Sequence, residues 1–332
     1  MTMAGKGILA MDESNATCGS RLEGVGVENI EENRRRYREL LITTPDLGEH
    51  IGGAILFEET LYQSCADGTS FVDALNAQGI YPGIKVDKGL RPLANTSESW
   101  CQGLDDLADR SAAYYEQGAR FCKWRSVVSI PDGPPRTAVT GLARYAAIVQ
   151  NAGLVPIVEP EILLDGEHGI DETFEVASWV WAETFKYLAD NNVSFERMLL
   201  KPSMVGPGAD CPTRNTAEEV ADYTLRMLNS RVPPATAGIM FLSGGLSELD
   251  STLYLNAMNQ SPNPWHVSFS YARALQNTVL KTWAGDDAKK DEAQAILARR
   301  ARENGQAQLG KFVAGDVSDS ESESTYQKNY VY

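Results

Sequence analysis

The sequence predicts an α/β protein built as a single (β/α)8 barrel. Three observations predict it. Eight short apolar, β-rich runs alternate with longer helix-like stretches. The length, 332 residues, suits one such domain. Charge gathers at the ends of the runs, and barrels carry their chemistry at the C-terminal ends of their strands. A doubly wound open sheet is the competing arrangement. No G-x-G-x-x-G follows the first run and no G-x-x-x-x-G-K-[ST] occurs, which disfavours its nucleotide-binding versions.

The eight runs fall between residues 7 and 271. The first, residues 7–11 (GILAM), ends at Asp12. A polar, helix-like stretch at 27–41 follows and contains the charged segment EENRRR, read as a solvated face or a subunit contact. The second run, 53–57, ends at Glu58, and the third, 83–87, contains Lys85 and Asp87. The fourth, 120–128, contains Lys123 and Arg125. The fifth, 154–161, contains Glu159 and Glu161. The sixth ends in Lys201, fixed by Pro202 behind it. The seventh, 238–242, leads into Ser243-Gly244-Gly245, and the eighth, 266–271, precedes Arg273. Helices are expected at 103–117, 142–151, 173–191, 217–228 and 246–258. The barrel is assigned to residues 1–310. The remainder, 311–332, is read as a mobile tail, because 316–325 is too polar to bury apolar area. Its tyrosine-rich tip, ending at Tyr332, is compatible with a tethered lid.

Composition narrows the function. Hydrophobic residues make up 43% and charged residues 23% of the chain, enough for a large core. Net charge is −15, from 30 basic and 45 acidic side chains, which argues against nucleic acid as a partner. An anionic small substrate stays open, since a local basic pocket overrides the global field. No apolar run approaches the roughly 20 residues of a membrane span, and no signal or transit pattern is read before Gly5. Five scattered cysteines without a C-x-x-C pair read as free thiols in a reducing compartment. Three distant histidines lack metal-ligand spacing, so no metal and no cofactor is expected.

Strand side chains alternate with period two. Lys85 and Asp87 therefore share a face, as do Lys123 with Arg125 and Glu159 with Glu161. With Asp12 and Lys201 they are expected to converge inside the barrel mouth. Lysine in an apolar strand is costly unless it ends in water or is used chemically. A free lysine has a pKa near 10.4, so only about one amine in two thousand is neutral at pH 7. A neighbouring ammonium such as Lys123, with partial burial, favours the neutral form. Such an amine attacks a ketone, and the iminium formed draws electrons from the adjacent C–C bond. Glu159, Glu161 and Asp12 offer the proton shuttle. Phosphate sites in these barrels lie after strands seven and eight, here Ser243, Gly244, Gly245, Ser270 and Arg273. A second anion site is read at Ser14, Thr17, Lys85 and Arg125.

These segments resemble the class I fructose-bisphosphate aldolases over nearly the whole chain. They include GILAMDES (7–14), AILFEETLYQ (54–63), GIKVDKG (83–89), KWR (123–125), VPIVEPEI (155–162), LKPSMV (200–205), FLSGG (241–245) and SFSYARAL (268–275). Residues 11–18 and 263–266 resemble the plastid-type members most. The resemblance implies that Lys201 is the Schiff-base lysine, Glu159 the proton-transfer glutamate and Glu161 its partner. Asp12 would handle the C4 hydroxyl proton, and Lys123 would tune the amine and touch substrate. Ser243, Gly244, Ser270 and Arg273 would cradle the C1 phosphate. Ser14, Thr17, Arg21 and Arg125 fall where the other phosphate or its loop is handled. Tyr332 would exchange a proton with the enamine. The implied substrates are phosphorylated sugars, fructose 1,6-bisphosphate and in plastid-type members sedoheptulose 1,7-bisphosphate. A homotetramer and the plastid stroma are implied as well, with the cytoplasm as the other compartment. The chain departs from the family pattern by beginning almost at its first strand and by running shorter between Pro134 and Gly141. Leu246, Tyr254 and Gly206 stand where Gln, Asn and Thr or Ser are customary. The first two departures, the late start and the shorter segment, motivate the competing reading, a catalytically weak barrel serving as a scaffold; a metal-dependent aldolase conflicts with the histidine count.

Overall fold

The structure is a computed structural model that describes residues 1–96, 98–130, 136–315 and 318–328; for 136–138 and 319 it describes the backbone alone. The described strands are β1 Gly7–Met11, β2 Ile51–Leu56, β3 Tyr81–Lys85, β4 Leu90–Pro92, β5 Ser99–Cys101, β6 Phe121–Val128, β7 Val155–Ile162, β8 Leu199–Leu200, β9 Gly238–Phe241 and β10 Val267–Tyr271. Eight of them close a parallel barrel in the order β1-β10-β9-β8-β7-β6-β3-β2. All eight expected runs become its strands, and the open sheet is excluded. The antiparallel pair β4–β5 was not anticipated; it is too short and too exposed to show as an apolar run.

Period-two alternation sorts the barrel interior into layers. Toward the N-terminal end, Ile8, Ala10, Ile55, Phe121, Ile157, Leu199 and Met240 form a separate apolar cluster. Two residues further along four of these strands the inward positions turn ionic: Asp12 after Ala10, Lys123 after Phe121, Glu159 after Ile157, Lys201 after Leu199. The outward residues, Trp124 among them, join the larger core beneath the helices. Glycine makes room for the floor: a Cβ on Gly83 would lie 2.3 Å from the Phe121 ring.

The helices expected from apolar periodicity are present as Leu107–Gln117, Arg136–Asn151, Ile170–Asp190, Ala217–Arg231 and Glu248–Met258. The polar stretch at 27–41 becomes Glu31–Ile42. Arg136–Asn151 starts earlier than expected, because its first residues, Arg-Thr-Ala, are too polar and small to show an apolar period. Lys290–Gln308 was not expected. Its buried stripe is Ala293, Gln294, Leu297, Arg300, Ala301 and Asn304, too small and polar to give an apolar period. No described helix is long and apolar enough to cross a membrane.

Candidate active site

Register places the charged side chains. Lys85 pairs with Lys123 across β3–β6, and Arg125 pairs with Glu159 across β6–β7, so these inward residues stand side by side. The strand β8 has only two residues, but the Lys201 amide extends it by donating to the Val158 carbonyl at 2.8 Å. Ser203 then pins the following loop to the end of β7: its hydroxyl accepts from the Ile162 amide at 2.9 Å.

The side chains form one ionic lattice. Lys201 Nζ lies 3.0 Å from Glu159 Oε1, and Lys123 Nζ lies 3.3 Å from Glu159 Oε2 and 2.8 Å from Asp12 Oδ2. Lys85 Nζ donates to Asp87 Oδ1 at 2.5 Å, and Arg125 Nε donates to Glu161. Lys85, Lys123, Arg125 and Lys201 thus meet Asp12, Asp87, Glu159 and Glu161, all buried. Burial alone would push the Asp12 carboxyl up; the charges of Lys123 and Lys201 outweigh it and hold the group below the usual carboxylate value. Asp87 is likewise buried and is held low by Lys85 and Lys123. Strand alternation alone suggests Lys123 as a bare second ammonium beside Lys201. In the structure Glu159 stands on both amines, so a carboxylate faces the Lys201 amine directly and can receive its proton.

Glu159, Glu161 and Lys201 share a pocket with Ser243, Gly244, Ser270 and Arg273. Gly244 and Gly245 take φ of +20° and +96°, and a Cβ on Gly244 would meet Leu242 at 2.6 Å. Ser270 Oγ is buried and makes no hydrogen bond among the described residues, an acceptor and donor turned toward the pocket. Arg273 opens the helix Arg273–Trp283. Ser243 and Gly244 also line, together with Gly245, a second cavity of about 590 Å³ that Gly206, Leu246 and Tyr254 share.

The second expected anion group is partly occupied with itself. Ser14 caps the helix Asn15–Glu23, accepting from the Thr17 amide at 3.2 Å, and its hydroxyl lies 3.0 Å from that of Thr17. Arg21, on the same helix, donates to Glu13 and, at 3.1 Å, to Gln276. Sequence reasoning missed Glu13, Arg38 and Gln276; Arg38 adjoins the charged segment read as solvated, yet is 2% exposed. Arg34, Arg35 and Arg36 of that segment make ion pairs nearer the surface, with Glu59, with Glu32 and Glu39, and with Asp287.

The described part of the tail lies along the loop 243–246 that follows β9. Ser324 Oγ donates to the Gly245 carbonyl at 3.1 Å, Thr325 Oγ1 to the Leu246 carbonyl at 2.7 Å, and Arg273 donates to the Thr325 carbonyl. Tyr332 lies outside the described residues. All five cysteines are free, and among the described residues no group of His, Cys, Asp and Glu is arranged to hold a metal.

Comparison with known proteins bears on the whole chain. The family model for class-I fructose-bisphosphate aldolase matches residues 1–332. A chloroplastic fructose-bisphosphate aldolase 1 of Chlamydomonas reinhardtii is 67% identical over 99% of this chain and 88% of that protein. A chloroplastic fructose-bisphosphate aldolase of Oryza sativa subsp. japonica is 66% identical over 99% and 86%. Among solved structures, the fructose-bisphosphate aldolase of Plasmodium falciparum, in complex with TRAP and a small-molecule inhibitor, superposes with a TM-score of 0.93 at 47% identity, covering 95% of this chain and 93% of that one. By sequence and by fold, this chain belongs to the class-I fructose-bisphosphate aldolase family.

Proposed function

We propose that the chain is a metal-independent lyase that splits and forms fructose 1,6-bisphosphate through a Schiff base on Lys201. The observation that carries this reading is the Glu159 carboxylate 3.0 Å from the Lys201 amine, inside a buried pocket that continues to Ser270 and Arg273. The ketose C1 phosphate is held by Ser243, Gly244, Ser270 and Arg273. The distal phosphate is met by Ser14, Thr17, Arg21 and Lys85. Lys201 gives a proton to Glu159, and its nitrogen attacks the C2 carbonyl. Loss of water leaves the iminium, with Glu161, oriented by Arg125, assisting the proton transfers. The C3–C4 bond then breaks, its electron pair passing to the enamine, while the C4 hydroxyl proton goes to Asp12. That carboxylate is kept ionised and ready to accept by its surroundings. Glyceraldehyde 3-phosphate leaves first. Reprotonation of the enamine, served by Tyr332 on the tail 311–332, and hydrolysis release dihydroxyacetone phosphate.

Sedoheptulose 1,7-bisphosphate is proposed as a further substrate, and the reaction fits glycolysis and gluconeogenesis or the Calvin cycle. The plastid stroma as its compartment is supported by relatives that are chloroplastic at 61–67% identity. A homotetramer is the proposed assembly. Purified protein is expected to cleave fructose 1,6-bisphosphate at a rate unchanged by a chelator; activity lost on chelation and restored by a divalent metal contradicts the metal-independent route.

A further inference from the structure

Arg38 is a cation on the inner face of the helix Glu31–Ile42, and arginines are seldom so buried unless paired. Its guanidinium grips Glu13 twice. Nη1 donates to carboxylate Oε2 at 2.8 Å and Nη2 to the backbone carbonyl at 3.1 Å. Glu13 directly follows Asp12, and its other carboxylate oxygen accepts from Arg21. Gln276, fully buried on the helix Arg273–Trp283, closes the set. It donates to the Ala10 carbonyl at 2.6 Å and accepts from Arg21 at 3.1 Å and from the Tyr37 hydroxyl at 2.9 Å. The backbone is thus tied on both sides of Asp12, at Ala10 through Gln276 and at Glu13 through Arg38. The same groups fix the guanidinium of Arg21, whose side chain is the more exposed of the two arginines, 9% against 2%.

We propose that Arg38, through Glu13, and Gln276, by direct contact, are positioning residues that aim Arg21 at the phosphate far from the ketone. This rests on the lyase reading of the site. Both contact sets need specific geometry: a lysine at 38 supplies one point charge where a fork now bonds a carboxylate and a carbonyl. A leucine at 276 takes away one acceptor of Arg21 and the acceptor of the Tyr37 hydroxyl, leaving Arg21 on Glu13 with its aim less constrained.

The test compares fructose 1,6-bisphosphate with fructose 1-phosphate, which lacks the distal phosphate, in wild type, Arg38→Lys and Gln276→Leu. The ratio of kcat/KM for the two substrates is expected to fall about tenfold in each variant, the order of one charge-assisted hydrogen bond, chiefly through KM for the bisphosphate. A variant that slows both substrates equally overturns the aiming of Arg21, as does an unchanged ratio. Should Arg38→Lys fail to fold, Gln276→Leu decides the question alone. Wild type that cleaves neither ester overturns the lyase reading and this inference with it.

Discussion

Glu159 is the residue on which the proposed chemistry turns. It lies on both buried amines, so one carboxylate balances the charge of Lys123 and stands where it can take the proton of Lys201. Burial makes each partner in such a lattice indispensable, because removing one leaves an uncompensated ion. Asp87 allows this to be measured away from the attacking amine. Its carboxyl is held below the ordinary value, so it contributes stability that is present above its unfolded value, near 3.9, and is lost as pH falls through its lower folded value. Asp87→Asn is therefore expected to cost about 3–5 kcal/mol at pH 7, with the deficit in Tm narrowing below about pH 4. Thermal melts of both proteins from pH 7 to pH 2 check this; a deficit of constant size would show that the Asp87 charge does not stabilise the fold.

At the scale of elements, the barrel floor and the helices obey different constraints. Gly83 leaves the space that the Phe121 ring fills, so Gly83→Ala overpacks a closed cluster and should destabilise by about 1–3 kcal/mol. Gly141, inside the helix Arg136–Asn151, faces open space, with nothing within 4 Å of where a Cβ would stand. Gly141→Ala should therefore stabilise by about 0.5–1 kcal/mol through helix propensity. Urea midpoints of opposite sign are expected, and equal signs would contradict this layering. The same contrast explains what was legible in the sequence. Strands buried on both faces write themselves as continuous apolar runs. Lys290–Gln308 buries Arg300 and Asn304 through hydrogen bonds to Glu248, Thr252 and their own helix, so its inner face looks polar.

In the whole molecule, a chain of net charge −15 concentrates four cations, Lys85, Lys123, Arg125 and Lys201, at one end of its barrel. That convergence was readable, because period-two alternation and strand order suffice to bring strand ends together. Which carboxylate serves which amine was not readable. Neither was the link from Arg21 to Gln276, 255 positions away, since only the closed barrel brings those elements into contact. The central claim is that the amine of Lys201, facing Glu159, forms a covalent imine with a ketose phosphate. Borohydride reduction in the presence of dihydroxyacetone phosphate, followed by peptide mass spectrometry, tests it most directly. One stable adduct is expected, on Lys201, absent without the ketone; a folded protein that yields no adduct, or yields it on another lysine, rules out the imine at Lys201.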